Sequence, residues 1–122
     1  TWLKDVQNTA DFAEVSGDAH LMVEAWDEDG VGEFDVIINA TASGLGDSFV
    51  SPSGVHFADK ALAYDMMYGK VTPFLQWAID NQALTADGWG MLVEQAAKSF
   101  SIWHGVTPDT SGLIANPPYK GV

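Results

Sequence analysis

The sequence predicts an α/β fold in which a mostly parallel β-sheet is flanked by helices. Three observations predict it. Phe34-Asp35-Val36-Ile37-Ile38 is rich in β-branched residues and lacks two-residue alternation, which is how a strand covered on both faces reads. A second apolar run, Leu62 to Met67, follows it, and both runs end in small or polar loops. Two stretches opening on helix-capping residues, at Thr72 and Asp87, come after them. At 122 residues the chain suits one domain with one core, and a composition of 47% hydrophobic and 18% charged residues can bury enough apolar surface to offset chain entropy.

Taken in chain order, Val6, Ala10, Phe12, Ala13 and Val15 suggest a short helix ending near Gly17. His20-Leu21-Met22-Val23 suggests a strand, and Trp26 to Gly32 an acidic, glycine-bearing connection. The strand over 34–38 is followed directly by Asn39-Ala40-Thr41-Ala42-Ser43-Gly44-Leu45-Gly46, a small, polar loop at the strand's C-terminal end. In open α/β sheets that edge is where ligands sit. Pro52, Gly54 and scattered polar residues give a loop over 47–60, with at most one helical turn. The second strand, 62–67, ends in Tyr68-Gly69-Lys70.

Thr72 can cap a helix, Pro73 fits its first position, and Phe74, Leu75, Ala78 and Ile79 supply a core face before Asn81 ends it. The longest helix runs over 88–104, with Asp87 as its N-cap and Gly105 in the left-handed position after its end. Pro108, Gly112, Pro117, Pro118 and Gly121 then make 107–122 an irregular tail on the surface.

Charge narrows the function classes. Seventeen acidic residues against five basic ones, all lysine, give a formal net charge of −12, which repels nucleic acid and anionic membrane. Without arginine there is no bidentate clamp for a phosphate or carboxylate, so an anionic ligand must rest on backbone N–H groups, lysines or hydroxyls. The absence of cysteine removes disulfides, thiolate metal sites and cysteine nucleophiles. No apolar run approaches the ~20 residues that span a bilayer, and the N-terminus lacks a signal-peptide pattern, so a soluble, cytoplasmic protein is expected. The chain opens at Thr1 with no initiator Met, which fits a processed start or a piece of a longer chain.

Within 88–104, Met91, Leu92, Ala96, Ser99, Phe100 and Trp103 follow helical spacing, and Gln95 falls on that inward stripe one turn after Met91. A primary amide there either bonds a neighbouring loop backbone or points to a ligand hydroxyl or carboxylate. Gly88 and Gly90 in the first turn each cost up to about 1 kcal/mol relative to alanine. Either a flat ligand approaching the helix N-terminus or tight helix-to-strand packing offsets that cost. Tyr64, Asp65 and Tyr68 flank the end of the second strand, with Lys70 nearby; a phenol there can bind a substrate hydroxyl or simply lie exposed. His20, His56 and His104 show no metal-ligand spacing, and no metal site, nucleophile elbow or Walker loop is visible.

Three stretches in register carry a family resemblance: Ile37 to Gly44; Tyr64-Asp65-Met66-Met67-Tyr68 with Lys70 and Thr72 to Leu75; and Ala86-Asp87-Gly88-Trp89-Gly90-Met91-Leu92-Val93-Glu94-Gln95-Ala96-Ala97. Their order and spacing resemble the C-terminal, cofactor-binding half of shikimate dehydrogenase, and Trp103-His104-Gly105 followed by Pro108-Asp109 agrees. The resemblance implies an NADP-dependent oxidoreductase that interconverts 3-dehydroshikimate and shikimate in aromatic amino acid biosynthesis. It implies that Tyr68 and Gln95 contact shikimate, and that Asn39, Ala40, Thr41, Met66 and Gly88 line the nicotinamide and ribose of NADP, with Met91 nearby. It also moves Gln95 and the Gly88/Gly90 pair towards the ligand-facing reading.

The resemblance further implies a doubly wound, Rossmann-like sheet of order 3-2-1-4-5-6. Residues 20–23, 34–38 and 62–66 would be its strands three, four and five, with a short sixth near Ala83 to Thr85. The chain would then be a partial NADP-binding domain over 1–106, lacking the first strands of the fold. The catalytic lysine and aspartate would lie in an N-terminal substrate domain outside the chain, as would the glycine-rich phosphate loop and the segment reading the 2′-phosphate. An apolar sheet edge left open in this way invites pairing, so the missing N-terminal domain or a second copy of the chain, as a homodimer, is an expected partner. The alternatives are a non-catalytic binding or self-association module on the same fold, and a quinate-acting relative.

Overall fold

The computed structural model describes residues 32–41 and 49–119. The expected helix over 6–15 and strand over 20–23 lie outside the described residues. Among the described residues the elements run β1 (Gly32–Asn39), β2 (Val55–Asp65), α1 (Pro73–Asp80), β3 (Leu84–Ala86), α2 (Trp89–His104) and α3 (Ser111–Ala115). The three strands form one sheet in the order β1-β2-β3, and both pairings are parallel. This is the expected α/β, Rossmann-like arrangement, with consecutive parallel strands and helices beside them. Asn39 pairs with Asp65 and Tyr64 with Ala86, so all three strands end at one edge of the sheet.

β2 is longer than the sequence suggested. The loop expected over 47–60 gives way at Val55 to strand, because Val55, His56 and Phe57 pair with Gly32, Glu33 and Phe34. The register then slips, so that Phe34 faces Phe57 while Val36 faces Leu62. Lys60 sits in this bulge at φ 60, and the exposed Asp59-Lys60 pair lets the extra residues loop out into solvent. Polar residues at a bulge read as loop in a sequence although the strand continues beyond them.

α1 builds the core. Thr72 caps it, accepting from the Leu75 amide at 3.2 Å, and Pro73 occupies the first turn as expected. Phe74, Leu75 and Ala78 are buried against Ala63 of β2, with Ile37, Phe49, Phe57, Trp77 and Ala83 around them. Phe49 meets Phe74 edge to face at 5.6 Å, and Phe57 lies 4.6 Å from Trp77. Ile79, expected on the core face, is exposed, and Trp77 takes that role instead.

The long helix α2 ends as expected at Gly105, whose φ of 70 allows the left-handed turn. Its N-cap is Gly88 rather than Asp87, although the Asp87 carboxylate still accepts from the Trp89 amide at 3.1 Å. The inward stripe is not inward: of α2 only Val93 is buried, while Leu92, Phe100 and Trp103 are exposed, Trp103 by 76%. Helical spacing identified an apolar face, but among the described residues only the segment around α3 lies along it. The described part of the tail, 107–119, is irregular except for the five residues of α3.

Candidate functional site

The loops after β1 and β2 are tied together by one buried carboxylate. Asp65 closes β2 with no exposed surface, and a carboxylate there must find donors. Its Oδ1 accepts from the Met67 amide at 3.0 Å. Its Oδ2 accepts from Asn39 Nδ2 at 3.3 Å and from the Thr72 hydroxyl. Since Thr72 also caps α1, a single side chain links both strand tips to the helix that covers the sheet.

Asn39 is buried to 95% at the end of β1. Its Oδ1 accepts from both the amide and the hydroxyl of Thr41, at 3.1 and 2.7 Å, an Asx turn that folds the loop back on itself. Its carbonyl accepts from the Met66 amide at 3.1 Å. Ala40 and Thr41 are exposed between the two tips.

The start of α2 completes the edge. The Gly88 amide donates to the Met67 carbonyl at 2.9 Å. A Cβ at Gly88 would sit 2.1 Å from the Met66 carbonyl oxygen, so this glycine is required by helix-to-strand packing. Gly90 differs, because a Cβ there would meet nothing within 4 Å. Tyr68, 45% exposed, lies 6.0 Å from the Trp89 ring, and Met66 is also exposed.

Three of the four regions holding the sequence-derived candidates therefore meet at one edge: Asn39 to Thr41, Met66 to Tyr68, and Gly88. Met91 and Gln95 continue the Gly88 face of α2, three and seven residues on, at a rise of about 1.5 Å per residue. Met91 is half-buried and Gln95 exposed. Gln95 was expected on a buried stripe; its carbonyl accepts from Ser99 Oγ at 3.0 Å, and it is solvent that surrounds its amide. Lys60, Lys70 and Lys98 are the lysines among the described residues, and only Lys70 belongs to a strand-tip loop. Small, neutral polar groups and two carboxylates, Asp65 and Asp87, dominate the edge, which suits a neutral ring and hydroxyls better than a phosphate.

Sequence reasoning read Asp87 only as a helix cap and missed Tyr119. The Tyr119 hydroxyl donates to Asp87 Oδ2 at 2.7 Å, and the Tyr119 ring meets Trp89 edge-on at 5.7 Å. Burial, reinforced by the Asp87 carboxylate, pushes the Tyr119 phenol up to about 12. The Ser111 hydroxyl and amide lower Asp109 at the start of α3. Among the described residues no cluster of His, Asp and Glu is placed to hold a metal ion, and no helix is long and apolar enough to cross a membrane.

Known proteins resemble this chain in sequence and fold. Residues 88–113 match the family described as shikimate 5'-dehydrogenase C-terminal domain. A shikimate dehydrogenase (NADP(+)) of Methylobacillus flagellatus is 58% identical over 85 residues, covering 68% of this chain and 31% of that protein. One of Bordetella avium is 50% identical over 102 residues, covering 82% of this chain and 35% of that protein. The chain thus spans about a third of the length of the curated relatives it matches. Among solved structures, an Ael1 enzyme from Pseudomonas putida aligns with a TM-score of 0.67 and 36% identity, over 86% of this chain and 40% of that one. A ligand-free 5-ketofructose reductase of a Gluconobacter strain aligns at 0.50 and 34% identity, over 66% of this chain and 32% of that one. The chain is thus similar in sequence to shikimate dehydrogenases, and over residues 88–113 to their C-terminal domain.

Proposed function

We propose that this chain, as the C-terminal part of a shikimate dehydrogenase-type protein, supplies one wall of a site that interconverts 3-dehydroshikimate and shikimate with NADP. The observation that carries the reading is the convergence of Asn39, Met66 to Tyr68 and Gly88 at the C-terminal edge of a parallel sheet, the edge that binds ligands in this fold class. The edge fits the nicotinamide and ribose end of the cofactor. Asn39, Ala40, Thr41, Met66, Gly88 and Met91 would hold it, and when bound it supplies the hydride acceptor or donor. Basic contacts to the phosphates belong to the remainder of the protein, because Lys70 is the one lysine at this edge among the described residues.

Each side chain has a defined task in this reading. Asn39, locked by Asp65 and Thr41, presents a rigid neutral surface; Met66 and Met91 exclude water from one face of the bound ring. Tyr68 and Gln95 are exposed with polar groups free to bond substrate hydroxyls or carboxylate. The proton-transfer lysine and aspartate come from the N-terminal substrate domain, so the 122-residue chain alone is inactive. A cytoplasmic setting accompanies this biosynthetic role.

The test is reconstitution. The chain is joined to, or mixed with, the N-terminal part of the Methylobacillus flagellatus relative, and NADPH formation is followed with shikimate and, in parallel, quinate. Turnover of shikimate supports the reading, preference for quinate reassigns the substrate, and inactivity of a verified folded complex rejects it. One observation favours a second reading as a self-association module: Phe34, Val36 and Ile38 of β1, the outer strand among the described residues, are 42%, 52% and 61% exposed. Sedimentation showing a monomer at high concentration would reject that reading.

A further inference from the structure

Resting on the reading of Tyr68 as a substrate contact, we infer that Tyr119, acting through Asp87, is a positioning residue that fixes the 67–69 turn, and with it Tyr68, against the start of α2. The 108–119 segment thereby forms part of the site's scaffold rather than a bystander tail.

The Asp87 carboxylate is the junction. Its Oδ1 accepts from the Trp89 amide at 3.1 Å, one of the amides that a helix N-terminus leaves without an intrahelical partner. Its Oδ2 accepts from the Gly69 amide at 3.4 Å and from the Tyr119 hydroxyl at 2.7 Å. Helix, turn and tail therefore meet on one side chain. Gly69 adopts φ 87, a left-handed conformation that reverses the chain after Tyr68, and a Cβ placed on it would touch the Tyr119 ring at 3.9 Å.

The tail reaches Asp87 because it is held at two further points. The Thr110 hydroxyl donates to Glu94 at 2.6 Å, and Trp89 Nε1 donates to the Leu113 carbonyl at 2.9 Å. The Trp89 ring meets both tyrosines, 6.0 Å from Tyr68 and 5.7 Å from Tyr119. A phenol raised to about 12 keeps its proton throughout the physiological range, so the hydroxyl stays a donor to Asp87 there. Motion of Tyr119 is thus transmitted to the Tyr68 side of Trp89 by both the carboxylate and the indole.

Tyr119→Phe tests this, because it removes the hydroxyl and keeps the ring on Trp89. In the 122-residue chain, Gly69 amide exchange is expected to rise about five- to tenfold, the worth of one ordinary hydrogen bond. The nuclear Overhauser contact between Tyr68 and Trp89 weakens, while the Ala63 amide in mid-β2 is unchanged. Asp87→Asn reproduces both effects. In the reconstituted enzyme, Tyr119→Phe raises KM for shikimate about three- to tenfold, with KM for NADP unmoved. Unchanged Gly69 exchange and an unchanged Tyr68–Trp89 contact in both variants would overturn the inference, and so would a loosened turn with unaltered KM for shikimate. Inactivity of the unsubstituted reconstituted enzyme would instead count against the functional reading, with the exchange arm still deciding whether Tyr119 holds the turn.

Discussion

Replacing Gly88 and Gly90 separately by alanine gives opposite results, although both glycines sit at the start of the same helix. At Gly88 the added Cβ falls 2.1 Å from the Met66 carbonyl oxygen and 2.8 Å from its carbon, against 3.4 Å where ordinary contact begins, a shortfall of about 1.3 Å to the oxygen. Both obstructing atoms are backbone of the strand-tip loop, which Asp65 and Asn39 hold in place. No rotamer change relieves the overlap, so the cost lies near the upper end of overpacking, about 3 kcal/mol. Alanine is also a poorer N-cap than glycine, which adds to the loss. With a urea dependence of about 1 to 3 kcal/mol per molar, the unfolding midpoint of Gly88→Ala falls by about 1 to 3 M. At Gly90 the new methyl meets open space, and relief of glycine's helix penalty raises stability by up to about 1 kcal/mol. Urea titration followed by tryptophan fluorescence reads both. A Gly88→Ala midpoint equal to the unsubstituted chain, or a Gly90→Ala loss as large as that of Gly88→Ala, would refute the packing argument.

Thr72→Val removes the α1 cap and leaves the buried Asp65 carboxylate one donor short, which costs about 2 to 3 kcal/mol in urea titration and raises amide exchange at both Leu75 and Met67. Leu75→Ala, at a site with no exposed surface, costs about 2 to 5 kcal/mol, whereas Trp103→Ser, at a site 76% exposed, changes stability by less than about 0.5 kcal/mol. Tyr119 has a folded value raised from 10.0 to about 12, so the folded state binds the proton more tightly than the unfolded one. Its contribution to stability is complete below pH 10 and is lost as pH rises through about 12, and Tyr119→Phe abolishes that step in a series of melts against pH.

The legible part of this sequence was local and repetitive. Val36-Ile37-Ile38 reads as a strand because β-branched residues in an unbroken run have few other uses, and Thr72-Pro73 reads as a helix start because both residues suit the same terminus. The illegible part depended on partners distant in sequence. Val55 to Phe57 joins the sheet only because β1 offers a register with a bulge at Lys60, and the intervening Asp59-Lys60 disguises it. Gly88 and Gly90 are indistinguishable as letters, and their difference is the position of the Met66 backbone, twenty-odd residues earlier.

The candidate site followed the same division. Asn39, Met66, Tyr68 and Gly88 were singled out by a motif pattern, and the strand pairing brings them to one edge. Of the groups that hold that edge together, Asp65 and Asp87 show locally only their bonds to the amides of Met67 and Trp89, two residues on, while the bonds that join separate segments, to Asn39, Thr72, Gly69 and Tyr119, span 7 to 32 residues. Gln95 shows the reverse failure, since helical spacing placed it on an inward stripe of a helix whose apolar face is largely open.

The central claim is that this edge is one wall of a shikimate site, and Gln95 tests it most directly because its amide faces solvent and its loss leaves the fold intact. In the reconstituted enzyme, Gln95→Ala should raise KM for shikimate by about ten- to a hundredfold, the worth of one or two hydrogen bonds to a charged or polar substrate group, and leave KM for NADP unchanged. Equal KM values for shikimate in the two enzymes would contradict the account.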